Sequence, residues 1–448
     1  MRDWLLITVV GVLLPAVFVN PVIGAYLWAW ISMMSPQKLA FGFARDLPVA
    51  YAVAVVTLLA FVFTRKRHAL PWSSVLAVYL LFLLWMTLTS FFAVAPRDQV
   101  FERWAFVMKI HFMLFVTLML IRDRKHLDLL IWIVTFSVAF YGIKGGIWTV
   151  TTGGGGRVWG PPGGLIEGNN ELAVALVMLT PFLYYLYQTV SHRWARWAMV
   201  FCIVVTAFSI LGSQSRGALI ALLAMALFLG LKGKRPVLTT VLLAAGVASA
   251  IMFMPDTWST RMETIGAYEQ DGSAMSRIWT WKTMWAAALD SPLVGVGFGA
   301  DNAIVFARYA PLDPEYEIFR GRVLVAHSIY FQSLGEHGFV GLALFLLIGV
   351  TAWWTADRVA RTAAKDAEYG TWMPMLMRMT QVSLIGYAVG GAFLSLANLD
   401  LVYYMIGFVI LCDALVRQRS AAAAKAAATL PSANNQTEAT SPRRLPAS

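Results

Sequence analysis

Charged residues are scarce in this sequence. They make up 13% of its 448 residues, whereas 59% are hydrophobic and the mean hydropathy is +0.67. Soluble domains carry roughly 25% charged residues, so there is too little charge here for a surface that faces water on all sides. The sequence therefore predicts an integral membrane protein.

Cysteine and metal-binding patterns are also nearly absent. The two cysteines, Cys202 and Cys412, lie within apolar runs and are interpreted as small hydrophobic side chains. No Asp-x-Asp motif occurs, and no group of carboxylates and histidines has the spacing of metal ligands. The sequence predicts no disulfide framework, no metal and no other cofactor.

The net charge of +11 does not indicate a nucleic-acid partner. The basic residues form short clusters between apolar runs, and alternate loops carry them, as the positive-inside rule requires of cytoplasmic loops. The clusters are Arg65-Lys66-Arg67, Arg122/Arg124/Lys125, Arg193/Arg196, Lys232/Lys234/Arg235, Arg358/Arg361/Lys365 and Arg417/Arg419.

Apolar runs of about 20 residues predict membrane-spanning helices. Two shorter runs in the first 35 residues are broken at Asn20-Pro21. We expect them to share one crossing with a cytoplasmic N-terminus, and an N-terminus on the outer face is the alternative. The fold class is then an all-α polytopic membrane protein with about 12 transmembrane helices, of which the later ones lie near 47–64, 73–92, 104–121, 128–149, 171–190, 196–213, 216–231, 236–254, 326–354, 374–396 and 400–416.

The chain divides into four parts on this basis. Helices fill 1–254 and 326–419, and between them 255–325 forms a large loop on the non-cytoplasmic side, with a helical segment at 275–289. Residues 420–448 are rich in alanine and then in Pro, Ser, Asn and Thr, which predicts a disordered cytoplasmic tail.

Arginines on the non-cytoplasmic side indicate an anionic substrate. Arg216 lies where one span ends and the next begins, and Arg277 lies in the expected first turn of 275–289. A guanidinium beside free helix amides suits an anion, although a boundary arginine that reaches lipid phosphate is an equally good interpretation. Arg157 lies in a glycine-rich loop that leads to a helix expected to be capped by Asn169 or Asn170.

Two histidines on one span are candidates for proton transfer. His327 lies at the outer boundary, where it can exchange protons with water and act as a general base. His337 lies ten residues later, about 15 Å deeper along a helix. Either histidine could instead be a hydrogen-bonded residue within the bundle. Further candidates for acceptor binding or support are Asp400, Lys282 and Tyr330.

Three motifs occur in order along the chain: Ser215-Arg216-Gly217-Ala218-Leu219; Ser276-Arg277-Ile278 followed by Pro292 and 295–299; and His327-Ser328, separated by nine residues from Gly338-x-x-Gly341. Together they resemble the O-antigen ligase and polymerase superfamily, over about 165–415. The N-terminal part, with Trp28-Ala29-Trp30 and Met34-Ser35-Pro36, resembles probable O-glycosylation ligases associated with exosortase systems.

The resemblance implies a metal-independent, inverting glycosyltransferase of the GT-C-like helical class in the bacterial inner membrane. The donor would be an undecaprenyl-diphosphate-linked glycan at the periplasmic face, and an O-antigen ligase would pass the glycan to a sugar hydroxyl of the lipid A–core oligosaccharide. Arg216 and Arg277, with Arg157, would bind the diphosphate, and His327 would be the base, with His337 as the second candidate.

Other activities remain as alternatives. Related proteins pass the glycan to a protein side chain or to another carrier-linked glycan. A transporter of lipid-linked oligosaccharides is the rival from a different class, but Lys109, His111 and Lys144 have no matching series of acidic residues within spans.

Overall fold

The computed structural model describes residues 1–65, 67–232, 252 and 272–429, and over these ranges it is helical without strands. All but one residue of the predicted span 236–254, the basic residues Lys66, Lys234 and Arg235, and most of the predicted tail lie outside the described residues. The first nine helices are α1 (Arg2–Val19), α2 (Val22–Met34), α3 (Val49–Phe63), α4 (Ser74–Ser90), α5 (Arg97–Leu120), α6 (Arg124–Thr151), α7 (Asn169–Thr189), α8 (Arg193–Gly212) and α9 (Arg216–Lys232).

Five helices follow in the C-terminal part of the chain. Short 3-10 helices also occur at Pro36–Leu39, Phe43–Arg45 and Pro314–Phe319. The five helices are α10 (Gly272–Asp290), α11 (Ala303–Tyr309), α12 (Ile329–Ala363), α13 (Trp372–Gly391) and α14 (Asp400–Thr429).

Length and composition identify the helices that suit a membrane. Among the described residues, α1, α5, α6, α7, α8 and α12 are long and apolar enough to cross one, and α2, α3, α4 and most of α9 are shorter apolar helices. Since backbone groups must be satisfied internally in hydrocarbon, such helices are the expected solution. The prediction of an all-α polytopic membrane protein is confirmed.

Local chemistry sets several helix starts. The Ser73 hydroxyl accepts the Leu76 N–H at 3.1 Å, and the Asp123 carboxylate accepts the His126 N–H at 2.9 Å. The expectation for α7 is wrong: its N-cap is Gly168, and Asn169 is already the first helical residue. The Asn169 side chain instead donates to the Ser213 carbonyl at 2.7 Å, which ties α7 to the end of α8.

The described residues of the clusters around Arg124, Arg358 and Arg417 meet at one end of the bundle, which we call the basic end. The Arg124 guanidinium lies over the Trp372 ring at 4.8 Å, and Arg358 and Arg417 both pair with Asp413 at 2.9 Å. The segment 272–328 lies at the opposite end, which we call the loop end. This separation is the one that the alternating charge pattern predicts.

The first two helices form an antiparallel pair. The Tyr26 hydroxyl donates to the His126 carbonyl at 3.0 Å, so the turn between α1 and α2 lies at the basic end. Arg2 donates to the Leu39 carbonyl at 3.3 Å, which places the N-terminus with 36–45, and Lys38 in turn lies against Gly163. The expectation of one shared crossing is wrong, and the N-terminus lies at the loop end. The turn at Asn20-Pro21 reverses the chain, and α2, at 13 residues, ends against the middle of α6, where the Tyr141 hydroxyl donates to the Met34 carbonyl.

The last helix is longer than predicted. α14 continues to Thr429, through the first part of the segment 420–448 that the sequence predicts to be disordered. Alanine has the highest helix propensity, so the run Ala421–Ala424 extends a helix that already exists.

A break in α12 explains the glycines at 295–299 and the glycine at the start of Gly338-x-x-Gly341. Gly338 has φ 69° and ψ −172°, a conformation almost restricted to glycine. The segment 292–297 passes through this break: the Phe339 N–H donates to the Pro292 carbonyl at 2.8 Å, and the Gly297 N–H donates to the Glu336 carbonyl at 2.8 Å. The segment therefore satisfies backbone groups that the break leaves without helical partners.

We expect Gly338→Ala to destabilise the protein by about 3 kcal/mol or more, because the new Cβ would be strained and would collide with the Leu293 carbonyl. Thermal unfolding in detergent measures the effect. Gly349→Ala is the matched control in the same helix, since nothing lies within 4 Å of its Cβ position. Equal unfolding temperatures for the two variants would contradict this role for Gly338.

Candidate active site

His327 is held in an unusual backbone conformation just before α12. Its φ is 47°, in the left-handed region that non-glycine residues rarely adopt. Its N–H donates to the Ser395 hydroxyl at 2.8 Å, and Ser328 caps α12. Strain of this kind persists only where the surroundings enforce it, and it is concentrated at functional sites.

Arg277 is carried to His327 by α10. The Trp281 indole N–H donates to the Ala326 carbonyl at 2.8 Å, and the indole stacks on Phe331 at 5.2 Å between ring centroids. These contacts fix α10 against the start of α12. Because α10 begins at Gly272, Arg277 lies in its second turn, and the expected first-turn position is wrong.

The pKa of His327 is lowered to about 4, first by burial and then by the positive charge of Arg277. The imidazole is therefore neutral at neutral pH. Its Nδ1 is buried, and within the described residues that nitrogen has no hydrogen-bond partner. A neutral imidazole with an unused nitrogen is suited to accept a proton from a bound group.

Arg157 and Arg216 lie on the same side of the bundle. The Arg157 guanidinium donates to the Gln214 side-chain carbonyl at 3.3 Å, and Arg216 begins α9 two residues later. Gly217 lies against the Phe393 side chain, with 3.4 Å between its Cβ position and the ring. Phe393 precedes by two residues Ser395, the partner of the His327 N–H, so the α9 start and His327 face the same loop.

A cavity of about 500 Å³ opens beside these residues. Ala326 and Ser395, the neighbours of His327, contribute to its wall. Arg103 and Asp301, which pair at 2.5 Å, line it as well. Glu171, on which Arg277 also acts electrostatically, lies on the wall with Glu336.

Sequence reasoning missed four of these charged residues, namely Arg103, Glu171, Asp301 and Glu336. Glu336 carries a usable signal, because an ionisable residue inside a predicted span is costly unless it has a function. For Asp301 no signal exists in the sequence, since only the fold brings it to Arg103.

His337 lies apart from the cavity. It is 2% exposed, its Nδ1 is 2.8 Å from the Thr89 hydroxyl, and its carbonyl accepts the Trp85 indole N–H at 3.0 Å. Phe82 and Phe298 pack against the ring. The structure therefore does not bring His337 together with Arg277 and His327.

The three remaining candidates lie in different places. Asp400 is buried and accepts a hydrogen bond from Ser32, beside a separate cavity of about 430 Å³. Lys282 is on the exposed side of α10, 3.6 Å from Glu315. The Tyr330 hydroxyl donates to the Ala388 carbonyl at 2.8 Å, at the edge of an apolar groove between α12, α13 and α14.

Two known families match this chain. Residues 1–191 match a family of unknown function (DUF5935), and residues 201–346 match the family described as O-antigen ligase. The second match contains Arg216, Arg277 and His327. "Exopolysaccharide production protein ExoQ" of Rhizobium meliloti (strain 1021) is 28% identical over 171 residues.

The similarity to that Rhizobium protein covers 37% of this chain and 39% of the relative, so the chain spans about two fifths of the relative's length. The match over residues 201–346 and the similarity to the Rhizobium protein together support membership of the O-antigen ligase and polymerase superfamily.

Proposed function

We propose that this protein transfers a glycan from undecaprenyl diphosphate to a sugar hydroxyl, as an inverting glycosyltransferase that needs no metal. The observation that carries the proposal is that burial lowers the pKa of His327 and that Arg277, at the loop end, lies near enough for its positive charge to lower that pKa further and keep the imidazole neutral. One group suits the leaving diphosphate and the other suits the proton of the attacking hydroxyl.

The reaction is a single displacement at the anomeric carbon. The acceptor oxygen forms the new bond to that carbon, and the bond to the diphosphate oxygen breaks with its electron pair, which leaves undecaprenyl diphosphate. His327 accepts the hydroxyl proton as the bond forms. The anomeric configuration inverts because the attack comes from the face opposite the leaving group.

Arginines neutralise the charge that develops on the leaving diphosphate. Arg277 and Arg216 are assigned to this task, with Arg157 in support through Gln214. A guanidinium binds phosphate oxygens through two parallel hydrogen bonds, and such electrostatic stabilisation strengthens where water is excluded. No nucleotide is required, because the diphosphate linkage already stores the energy of transfer.

The carrier's polyprenyl tail is assigned to the groove between α12, α13 and α14. This groove holds about 410 Å³ and runs from Ile329 and Tyr330 toward Trp353 and Trp354. Its lining is almost entirely apolar, and Ile329, at one end of the groove, lies two residues after His327 in the chain. A tail in this position would deliver the diphosphate to the arginines from within the membrane.

Two molecules are candidates for the acceptor of the glycan. The O-antigen ligase match favours the lipid A–core oligosaccharide, and this is the acceptor of the ligase function that the sequence predicts. The similarity to an exopolysaccharide production protein favours a second candidate, a polymerase whose acceptor is another carrier-linked glycan. In either case we assign the chain to the bacterial inner membrane with the loop end in the periplasm.

The proposal predicts transfer that EDTA does not diminish. The purified full chain in nanodiscs would be given an undecaprenyl-diphosphate-linked glycan, with lipid A–core or the same carrier-linked glycan as the acceptor. Mass spectrometry would then measure the glycosylated product and the released undecaprenyl diphosphate in equal amounts, with or without EDTA.

Strict dependence on Mg²⁺ or Mn²⁺ would count against metal independence. Movement of the intact carrier-linked glycan across a proteoliposome membrane, with no new glycosidic bond in any acceptor mixture, would instead identify a transporter.

A further inference from the structure

The polar cavity beside His327 has room for a substrate other than the donor diphosphate. Its volume of about 500 Å³ falls within the range of small-molecule sites, roughly 300–1,000 Å³. Ala326 and Ser395 connect it directly to His327, because one precedes the histidine and the other accepts its N–H. Arg216 and Arg277, the assigned diphosphate ligands, are not among the residues that line it.

Glu336 is the most deeply buried charged group of this cavity. Its exposed fraction is 4%, and its carboxylate has two long contacts, at 3.4 Å from the Gly299 N–H and at 3.5 Å from the Gln332 amide. The His337 Nε2 lies further away, at 3.9 Å. A buried carboxylate normally accepts several short hydrogen bonds, so Glu336 retains capacity to accept them from a ligand.

Carboxylates outnumber guanidinium groups on the cavity wall. Asp301 is paired with Arg103, whereas Glu336 and Glu167 have no arginine or lysine within ion-pair distance among the described residues. Arg103 is the one guanidinium on this wall among the described residues, and its charge acts on Glu336 as well as on Asp301, so a negatively charged ligand would still meet an excess of carboxylates. Bringing like charges together in a poorly solvated site costs several kcal/mol. Uncharged hydroxyls would instead donate to them.

An aromatic ring also lines the cavity, beside the carboxylate and amide groups. Trp159 lines the cavity and is 57% exposed, so its ring is open to a ligand there. An indole presents a flat apolar face that suits the C–H face of a sugar ring, and carboxylate and amide groups suit the ring's hydroxyls. Glu336 and Gln332 supply those groups within the same cavity.

We propose that this cavity is the acceptor subsite and that it selects an uncharged sugar over a phosphorylated one. This inference rests on the proposed function, since it names the substrate class of the same site. The acceptor's hydroxyls donate to Glu336, its ring lies on Trp159, and the attacking hydroxyl is presented to His327. An acceptor with phosphates close to the attacking hydroxyl is disfavoured by the same carboxylates.

Photo-crosslinking to two matched acceptors tests the proposal. Val325, which lines the cavity, is replaced by p-benzoylphenylalanine in the full chain in nanodiscs. The probes are core oligosaccharide released from bacterial lipopolysaccharide, used with its phosphates and after their removal with hydrofluoric acid. We expect capture of the dephosphorylated form to exceed that of the phosphorylated form by about tenfold or more.

Variants of Glu336 and Trp159 test whether these residues contribute to capture of the dephosphorylated probe. In the crosslinker background, Glu336→Gln and Trp159→Ala are each expected to reduce capture of the dephosphorylated probe by about tenfold. Trp159 is exposed, so its variant tests the subsite even if Glu336→Gln fails to fold. Glu317→Gln is the matched control, because Glu317 is exposed on the loop and pairs with Arg320, outside the cavity.

Equal capture of the two probes, or no capture of the dephosphorylated one, would overturn the acceptor assignment. Binding of undecaprenyl diphosphate, followed by native mass spectrometry in the same preparations, separates this result from a failure of the proposed function. If the protein binds undecaprenyl diphosphate but captures both probes equally, only the acceptor subsite is refuted. If it does not bind undecaprenyl diphosphate, the proposed donor is refuted.

Discussion

Arg277→Ala is expected to reduce glycan transfer by about 10³-fold or more while the protein still inserts and folds. Removing one donor that stabilises developing charge typically lowers kcat by about 10²–10³, and a full guanidinium at a diphosphate contributes at the upper end of that range. Arg277→Lys should also fail, because an ammonium offers a point charge rather than a planar fork. Single-turnover transfer by purified variants measures both losses.

The matched control for Arg277 is Arg308→Ala. Arg308 belongs to the same loop end, but it is 59% exposed and pairs with Asp290 at 2.8 Å. Surface ion pairs contribute about 0–1 kcal/mol, so this variant should transfer glycan at the wild-type rate. Wild-type transfer by Arg277→Ala, or an equal loss in both variants, would remove Arg277 from the role proposed for it.

The sequence predicts most of the helices because each crossing must supply a long apolar run. α3, α4, α7, α8 and α9 begin and end within about three residues of the predicted spans. The α1 and α2 pair was not predictable in this way. Its helices are short and no basic cluster follows them, so only packing against 36–45 and α6 fixes their direction.

The residues of the candidate site were likewise only partly predictable from the sequence. Arg216, Arg277 and His327 could be found because short motifs carry them, and Arg277 and His327 interact as the motif order suggests. Asp301 and Glu171 could not be found, since their meaning depends on which residues α5 and α10 bring near them. The glycines at 295–299 belong to the second motif, but their role in filling the break at Gly338 required the structure.

His327→Ala is expected to reduce transfer by about 10²–10⁴-fold, the usual contribution of a general base. Because burial and Arg277 lower the pKa of His327 to about 4, the imidazole is already neutral through pH 6–8. The wild-type rate should therefore be flat in that range and fall only as the pH drops toward 4, where the base becomes protonated. Measuring kcat/KM from pH 4 to 8 in nanodiscs tests whether the rate falls at low pH as expected.

Two comparisons separate a base from a structural histidine. Added imidazole should restore part of the rate of His327→Ala, since a small base can enter the space that the side chain leaves, and a purely structural role would not allow this. His337→Gln should lower the unfolding temperature, because the imidazole contact with Thr89 is lost, yet keep its rate after normalisation to folded protein. Loss of activity in folded His337→Gln, with a normal rate in His327→Ala, would assign the base to His337 in the interior of α12 instead of His327.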